Sequence, residues 1–387
     1  LVLQSCGSKS GSSKTDSDLI CVRAGDKYGF VDQEGKFSVN PQFENALPFI
    51  EDLALVQIEG SSHKYGYVDK KGKFIINANY EEATYFSEGL ACVVMEGGAP
   101  TYIDKKGVQK FSLPMAKLAY NFSDGLALIV AQNGKYGFVN KEGKLVINPQ
   151  FDSALPFSEG LAAVMVHNKK GEETWGYIDK QGKFAINYQF AKAFPFRDGI
   201  AIVSNGKKVG CINNKGEYII NPQYDDLGYF SEGLAPFQQG RMYGYLNKEN
   251  KIIINPQFMQ AYSFSDGLAC VQSSDRKWGY INKEGMIEIN YQFEDAKSFV
   301  DGVAVVAMND KYGLIDKKGK YKVNPQFDDA RLLHAISMPD LFMNNYNSKG
   351  LYLAWVESHI KNNSEEDNKR SSQGNQSSNP FLDTTNE

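Results

Sequence analysis

Phe86-Ser-Glu-Gly-Leu-Ala91 is one of eight variants of a single string, Phe-x-acid-Gly-Leu-Ala, whose recurrence at intervals of roughly 35 residues decides the fold. The leading Phe returns at Phe49, Phe86, Phe122, Phe157, Phe196, Phe230, Phe264 and Phe299. An acid follows two places later each time, at Glu51, Glu88, Asp124, Glu159, Asp198, Glu232, Asp266 and Asp301. Between copies runs an aromatic-Gly-aromatic segment that leads into a turn, as in Lys27-Tyr-Gly-Phe-Val-Asp32 and Lys277-Trp-Gly-Tyr-Ile-Asn282. A unit this short cannot bury its own apolar face, so units must stack on their neighbours, and the 387 residues count repeats rather than domains.

Within a unit, Leu90 to Val94 and Lys64 to Asp69 read as strands from their β-branched and aromatic content. The turn after the second strand, Asp69-Lys-Lys-Gly72 or Asn282-Lys-Glu-Gly285, suits a type I turn with a bulge. The Asx side chain bonds the backbone two residues on, and the Gly takes the positive φ. Asn250 stands in for Gly in one copy, and Asn tolerates that region best among other residues. A third strand, Phe74 to Asn77 or Ile252 to Asn255, runs into Asn-Pro-Gln-aromatic at Asn40, Asn148, Asn221, Asn255 and Asn324. There a proline without an N–H is expected to take the chain out of the sheet. Each unit therefore reads as a three-stranded meander. The Gly between the two aromatics, at 29, 66, 137, 176, 210, 244, 279 and 313, weakens its strand. The expectation is that a ring from the next repeat, the Phe of Phe-x-acid-Gly, packs into the space.

The run Lys-Tyr/Trp-Gly-Tyr/Phe-Ile/Val-Asp, then Lys-x-Gly-Lys, then Asn-Pro-Gln-Phe, resembles the WG-repeat family of bacterial proteins over Ile20 to Ala330. The eponymous Trp is kept at Trp175 and Trp278, with Tyr in most other copies and Val209 in one. The resemblance implies an all-β repeat architecture and an extracytoplasmic setting, and it brings no catalytic residues with it. The expected fold is a tandem array of about nine units stacked as an open solenoid, with a closed β-propeller as the alternative. The unit between Gly97 and Ala119 departs from the pattern, with Pro100-Thr101 in place of aromatic-Gly and Leu113-Pro114-Met115 in place of Asn-Pro-Gln-Phe. Either drift or a bend where a partner docks would account for it.

Around the array, residues 1–19 read as a lipoprotein signal remnant and flexible tether, 331–361 as a C-terminal cap able to form a helix, and 362–387 as a disordered tail. Leu3-Gln-Ser-Cys6 resembles the lipobox of a bacterial lipoprotein, with Gln4 where a small residue is usual. On that reading Cys6 carries the lipid. The other cysteines, Cys21, Cys92, Cys211 and Cys270, lie at repeat positions inside strands and read as small buried hydrophobes rather than disulfide partners.

A net charge of -4 without a basic stripe argues against nucleic acid, and no run approaches the ~18 apolar residues of a membrane-spanning helix. Four scattered histidines, His63, His167, His334 and His359, offer neither zinc spacing nor a nucleophile–base pair. One acid per repeat cannot assemble a calcium loop, and an acid before Gly at a turn is the pattern of a side chain bonding local backbone N–H groups. No enzyme, cofactor or metal is expected. The functional expectation is a monomeric, lipid-anchored scaffold of the cell envelope, periplasm-facing rather than surface-displayed, that binds a protein or glycan through an extended repeat face. The alternative is a hydrolase of envelope polymers using the repeat carboxylates, Asp198 and Glu232 among them.

Overall fold

The computed structural model describes residues 19–60 and 64–332, and all the regular structure there is β. The repeats fold into nine four-stranded antiparallel sheets. Blade 2 shows the plan: β4 (Asn45–Ala46), β5 (Ala54–Gln57), β6 (Tyr65–Val68) and β7 (Phe74–Tyr80), hydrogen-bonded in that order. Blade 1 consists of β1 (Ile20–Ala24), β2 (Lys27–Val31) and β3 (Phe37–Phe43), and its fourth strand is β36 (Asp329–Arg331) from the far end of the array. Cys21, Val22 and Arg23 pair antiparallel with Arg331, Ala330 and Asp329. The ring is thereby closed, and the array is a nine-bladed β-propeller, the second of the two expected arrangements.

The fourth strand is why roughly 35 residues suffice for a blade. It needs no loop of its own: one residue, Glu44, separates β3 from β4, so the end of one blade's edge strand becomes the first strand of the next. The three-stranded meander expected from the sequence is thus extended by a short strand hidden in the connector. The acid-Gly pair closes the hairpin that follows. Glu88 (φ 53°) and Gly89 (φ 82°) form a two-residue turn with both central residues left-handed, and Ser87 and Leu90 bond each other across it at 2.9 and 3.1 Å. The Asx turn is as read from sequence: Asp69 Oδ1 accepts from Lys71 and Lys73 N–H, and Gly72 has φ 78°.

Two expectations are corrected. The Asn-Pro-Gln segment does not end the strand; it is a bulge within it, where Phe30 faces Val39 while Tyr28 faces Phe43. Nor does a ring fill the space beside the recurrent Gly. A Cβ on Gly29 would lie 2.5 Å from the Val39 carbonyl oxygen and 2.7 Å from the Pro41 nitrogen, so the bulge's own backbone occupies it. The odd third blade confirms the coupling: its outer strand, Gln109–Ser112, has no such Asn-Pro-Gln bulge, and there Thr101 stands where the Gly would be. Its departure is therefore structural.

The Phe of the string packs instead on the second aromatic of the preceding blade, with centroids 4.8 Å apart for Tyr67–Phe86 and 4.9 Å for Tyr177–Phe196. Where that aromatic is Tyr, its hydroxyl crosses to the next blade, as Tyr67 donates to the Thr84 carbonyl at 2.7 Å and Tyr280 to Lys297 at 2.7 Å. Cys211 breaks the series, and Phe237 from the next blade fills the gap, joining Cys211 and Phe230 in one core and lying 4.7 Å from Tyr224. The four described cysteines are free and buried, with burial pushing the thiols of Cys21 and Cys92 up to about 12.

Candidate functional site

The eight acids form a belt of carboxylates, but their partners are not local. Six of the eight two-residue turns offer their Gly N–H to the acid of the preceding blade. Gly89 donates to Glu51 at 3.1 Å, Gly125 to Glu88 at 3.1 Å, Gly267 to Glu232 at 3.1 Å and Gly302 to Asp266 at 2.7 Å. Gly160 donates likewise to Asp124, and Glu159 accepts from both Asp198 N–H at 2.7 Å and Gly199 N–H at 2.9 Å. A lysine from the next blade's Asx turn completes several of these sites: Lys105 on Glu51 at 3.3 Å, Lys141 on Glu88 at 3.0 Å, Lys180 on Asp124 at 2.6 Å and Lys283 on Glu232 at 3.0 Å. Burial works to raise Glu232's pKa, yet Lys283 and the Gly267 N–H outweigh it and leave the carboxyl below its usual range. The local bonding expected for these acids is thus replaced by a blade-to-blade link. Glu51, Glu88, Asp124, Glu159, Glu232 and Asp266 are tied into the ring in this way.

A second series of ion pairs marks the blade corners. In several blades the Lys that opens the aromatic-Gly strand reaches the acid at the next corner, as in Lys135–Asp152 at 2.5 Å, Lys208–Asp225 at 2.6 Å and Lys311–Asp328 at 2.5 Å. His167 adds its backbone N–H to Asp152 at 2.9 Å. Among the described residues no group of three His, Cys, Asp or Glu side chains is placed to hold a metal ion. Cys6, His63, His334 and His359 lie outside the described residues.

What the repeats do not share is the residue after the corner Ala. In blades 2, 5 and 6 it is Leu47, Leu155 and Phe194, in blades 3 and 4 Thr84 and Tyr120, both buried, and in blade 7, where Leu227 replaces the Ala, it is Gly228. Blades 8, 9 and 1 place Tyr262, Lys297 and Arg331 there. Tyr262 stacks on Trp278, with centroids 5.3 Å apart and planes 21° from parallel, yet remains 42% exposed. Lys297 pairs with Asp295 at 2.8 Å while 46% of its side chain is accessible. Tyr312 donates to the same Asp295 at 3.4 Å. Desolvation is the leading influence on both Tyr262 and Lys297, and Asp295 acts on both. Trp278 and Ala296, the residue between Asp295 and Lys297, lie in one core cluster, so the stacked pair and the ion pair are neighbours. The arc ends at Arg331, which packs over the Tyr28 ring at 4.4 Å and bonds Asp329 at 2.8 Å and Asn45 at 3.0 Å. Sequence reading missed this arc because it followed what recurs; the signal was the loss of apolar character at one repeat position.

The WG containing repeat matches residues 28–61, 65–98, 136–169, 175–208, 210–241, 243–276, 278–312 and 312–332. The internal gap, residues 99–135, spans the outer two strands of the third blade and the first two of the fourth. No curated protein matches the chain in sequence. Among solved structures, a eukaryotic initiation factor is similar with a TM-score of 0.59 at 12% identity, covering 81% of this chain and 96% of its own, a likeness of fold alone. BamB from Moraxella catarrhalis aligns at a TM-score of 0.41 and 10% identity, covering 71% of this chain and 91% of its own.

Proposed function

The chain belongs to the WG containing repeat family, and on that premise we propose that it is a non-catalytic interaction scaffold of the cell envelope, monomeric, held to a membrane by a lipid on Cys6, that binds protein or glycan through a face built by several blades. The observation that carries this reading is the division of labour within the repeat. The acids recur and bond blade to blade, whereas the position after the corner Ala varies and carries Tyr262, Lys297 and Arg331 in three successive blades. A scaffold that holds its ring constant and turns one otherwise mostly buried position outward in neighbouring blades is organised for recognition.

The test has two parts. Metabolic labelling with a fatty-acid probe is expected to mark the wild-type chain and not Cys6→Ser, with the variant leaving the membrane fraction still folded; an unlabelled, freely soluble wild type would refute the anchor. Envelope extracts passed over the immobilised chain are expected to yield a saturable partner. Turnover of an envelope polymer, abolished by substituting Asp198 or Glu232, would instead make it a hydrolase.

A further inference from the structure

We propose that the cluster formed by Tyr262, Trp278, Asp295, Lys297 and Tyr312 is a carbohydrate-binding site, taking a neutral pyranose whose apolar ring face lies on Tyr262 and whose hydroxyls meet the Asp295–Lys297 pair. This rests on the scaffold reading above and specifies its ligand.

A pyranose presents carbon-bound hydrogens on one face and hydroxyls round its edge, so its binding site needs a flat, accessible π-surface beside clustered donors and acceptors. Tyr262 supplies the surface. Its ring is held parallel to Trp278, which is 7% exposed, so the platform is rigid and offers its other side. Asp295 and Lys297 supply an acceptor and a donor already paired at 2.8 Å, and the Tyr312 hydroxyl adds a third group on the same carboxylate. Because Asp295 offsets the lysine charge, the site suits an uncharged hydroxylated ring better than a polyanion. The corresponding pairs elsewhere are Leu155 with Trp175, Phe194 with Val209, Leu47 with Tyr65 and, in blade 4, Tyr120 with Tyr136, where Tyr120 is 7% exposed. Packing alone, met there by apolar or buried residues, does not call for an exposed tyrosine and an ion pair. An extended peptide would draw on unpaired backbone at a sheet edge, which this cluster does not centre on.

The experiment titrates the full chain with an oligomer of β-1,4-linked N-acetylglucosamine and, separately, with a cello-oligosaccharide, reading tryptophan fluorescence and calorimetry. Saturable binding to at least one sugar is expected, with Trp278 as reporter. Tyr262→Ala should weaken it about tenfold or more and Lys297→Ala by a smaller factor, with the affinity changing little between about 50 and 500 mM salt. Since Lys297 is surface-accessible, its variant keeps the test valid if Tyr262→Ala unfolds, and Trp175→Phe in blade 5 should leave the affinity unchanged. Absence of saturable binding to either sugar, or equal affinity in both variants, would overturn the site. A protein partner retained from envelope extracts by a chain that binds no sugar would leave the scaffold reading standing and remove only this one.

Discussion

Gly244 lies so close beneath Pro256 that a Cβ on the glycine would stand 2.7 Å from the proline nitrogen. The glycine's φ is not among the positive ones, so the requirement is one of space and not of backbone conformation. Gly244→Ala must push the bulge away from its neighbouring strand. We expect a loss of about 1–3 kcal/mol or more by denaturant titration. Thr101, at the same repeat position in the blade without the bulge, is the control: Thr101→Gly should lose only about 0.5–1 kcal/mol, the ordinary penalty of glycine in a strand.

Tyr67→Phe removes the hydroxyl that reaches the Thr84 carbonyl at 2.7 Å and nothing else. Phe30 and Phe138 already occupy this repeat position, so the ring itself fits. The expected change is about 0.5–1.5 kcal/mol, seen as a lower unfolding midpoint with unaltered far-ultraviolet circular dichroism.

Acid sensitivity should come from the corner acids. Lys135 first, then the His167 N–H, hold Asp152 down at about 2, and Lys208 and Lys311 lower Asp225 and Asp328 in the same sense. A carboxyl depressed below its unfolded value of about 3.9 contributes stability above that value and loses it as the pH falls through the folded one. Melting temperature is therefore expected to be level from about pH 8 to 5 with respect to these groups, and to drop between about pH 4 and 2. Lys135→Met should flatten part of that drop, because Asp152 then titrates near its ordinary value.

Much of this was legible in the sequence because repetition amplifies local signals. Nine Asx turns and seven acid-Gly turns, with Asp52 in place of Gly in the eighth, say the same thing at each copy. What escaped were contacts between elements that are strong individually but silent in pattern. The two-residue strand Asn45–Ala46 is too short to show alternation, and its presence turns three strands into four. The choice of ring over open stack depends on Asp329–Arg331, three residues at the point where the periodic motifs stop. The arc of Tyr262 and Lys297 was hidden for the opposite reason, since it consists of differences between copies.

Arg331 should matter more than any other single side chain to closure. It joins Asp329, Asn45, the Ala46 carbonyl and Tyr28 across the seam. Arg331→Met leaves Asp329, 7% exposed, without its counter-charge, and a loss of about 3–5 kcal/mol is expected. Blade 5 meets the same geometry with Ser153-Ala-Leu155, so the pair Asp329→Ser with Arg331→Leu should recover much of it. Equal destabilisation by the single and double variants would show that the network is not what holds the seam.

The most direct test of the closed ring is to trap the seam itself. Arg23 and Asp329 face each other across β1 and β36, 306 residues apart in sequence, and directly opposed antiparallel residues lie about 4.5–5.5 Å apart, within reach of a disulfide. Arg23→Cys with Asp329→Cys, oxidised and peptide-mapped by mass spectrometry, is predicted to give one cross-linked peptide joining positions 23 and 329 within a monomer. A link that forms only between two copies, or none at all in a folded monomer, would mean that the array is open and that β36 does not complete the first blade.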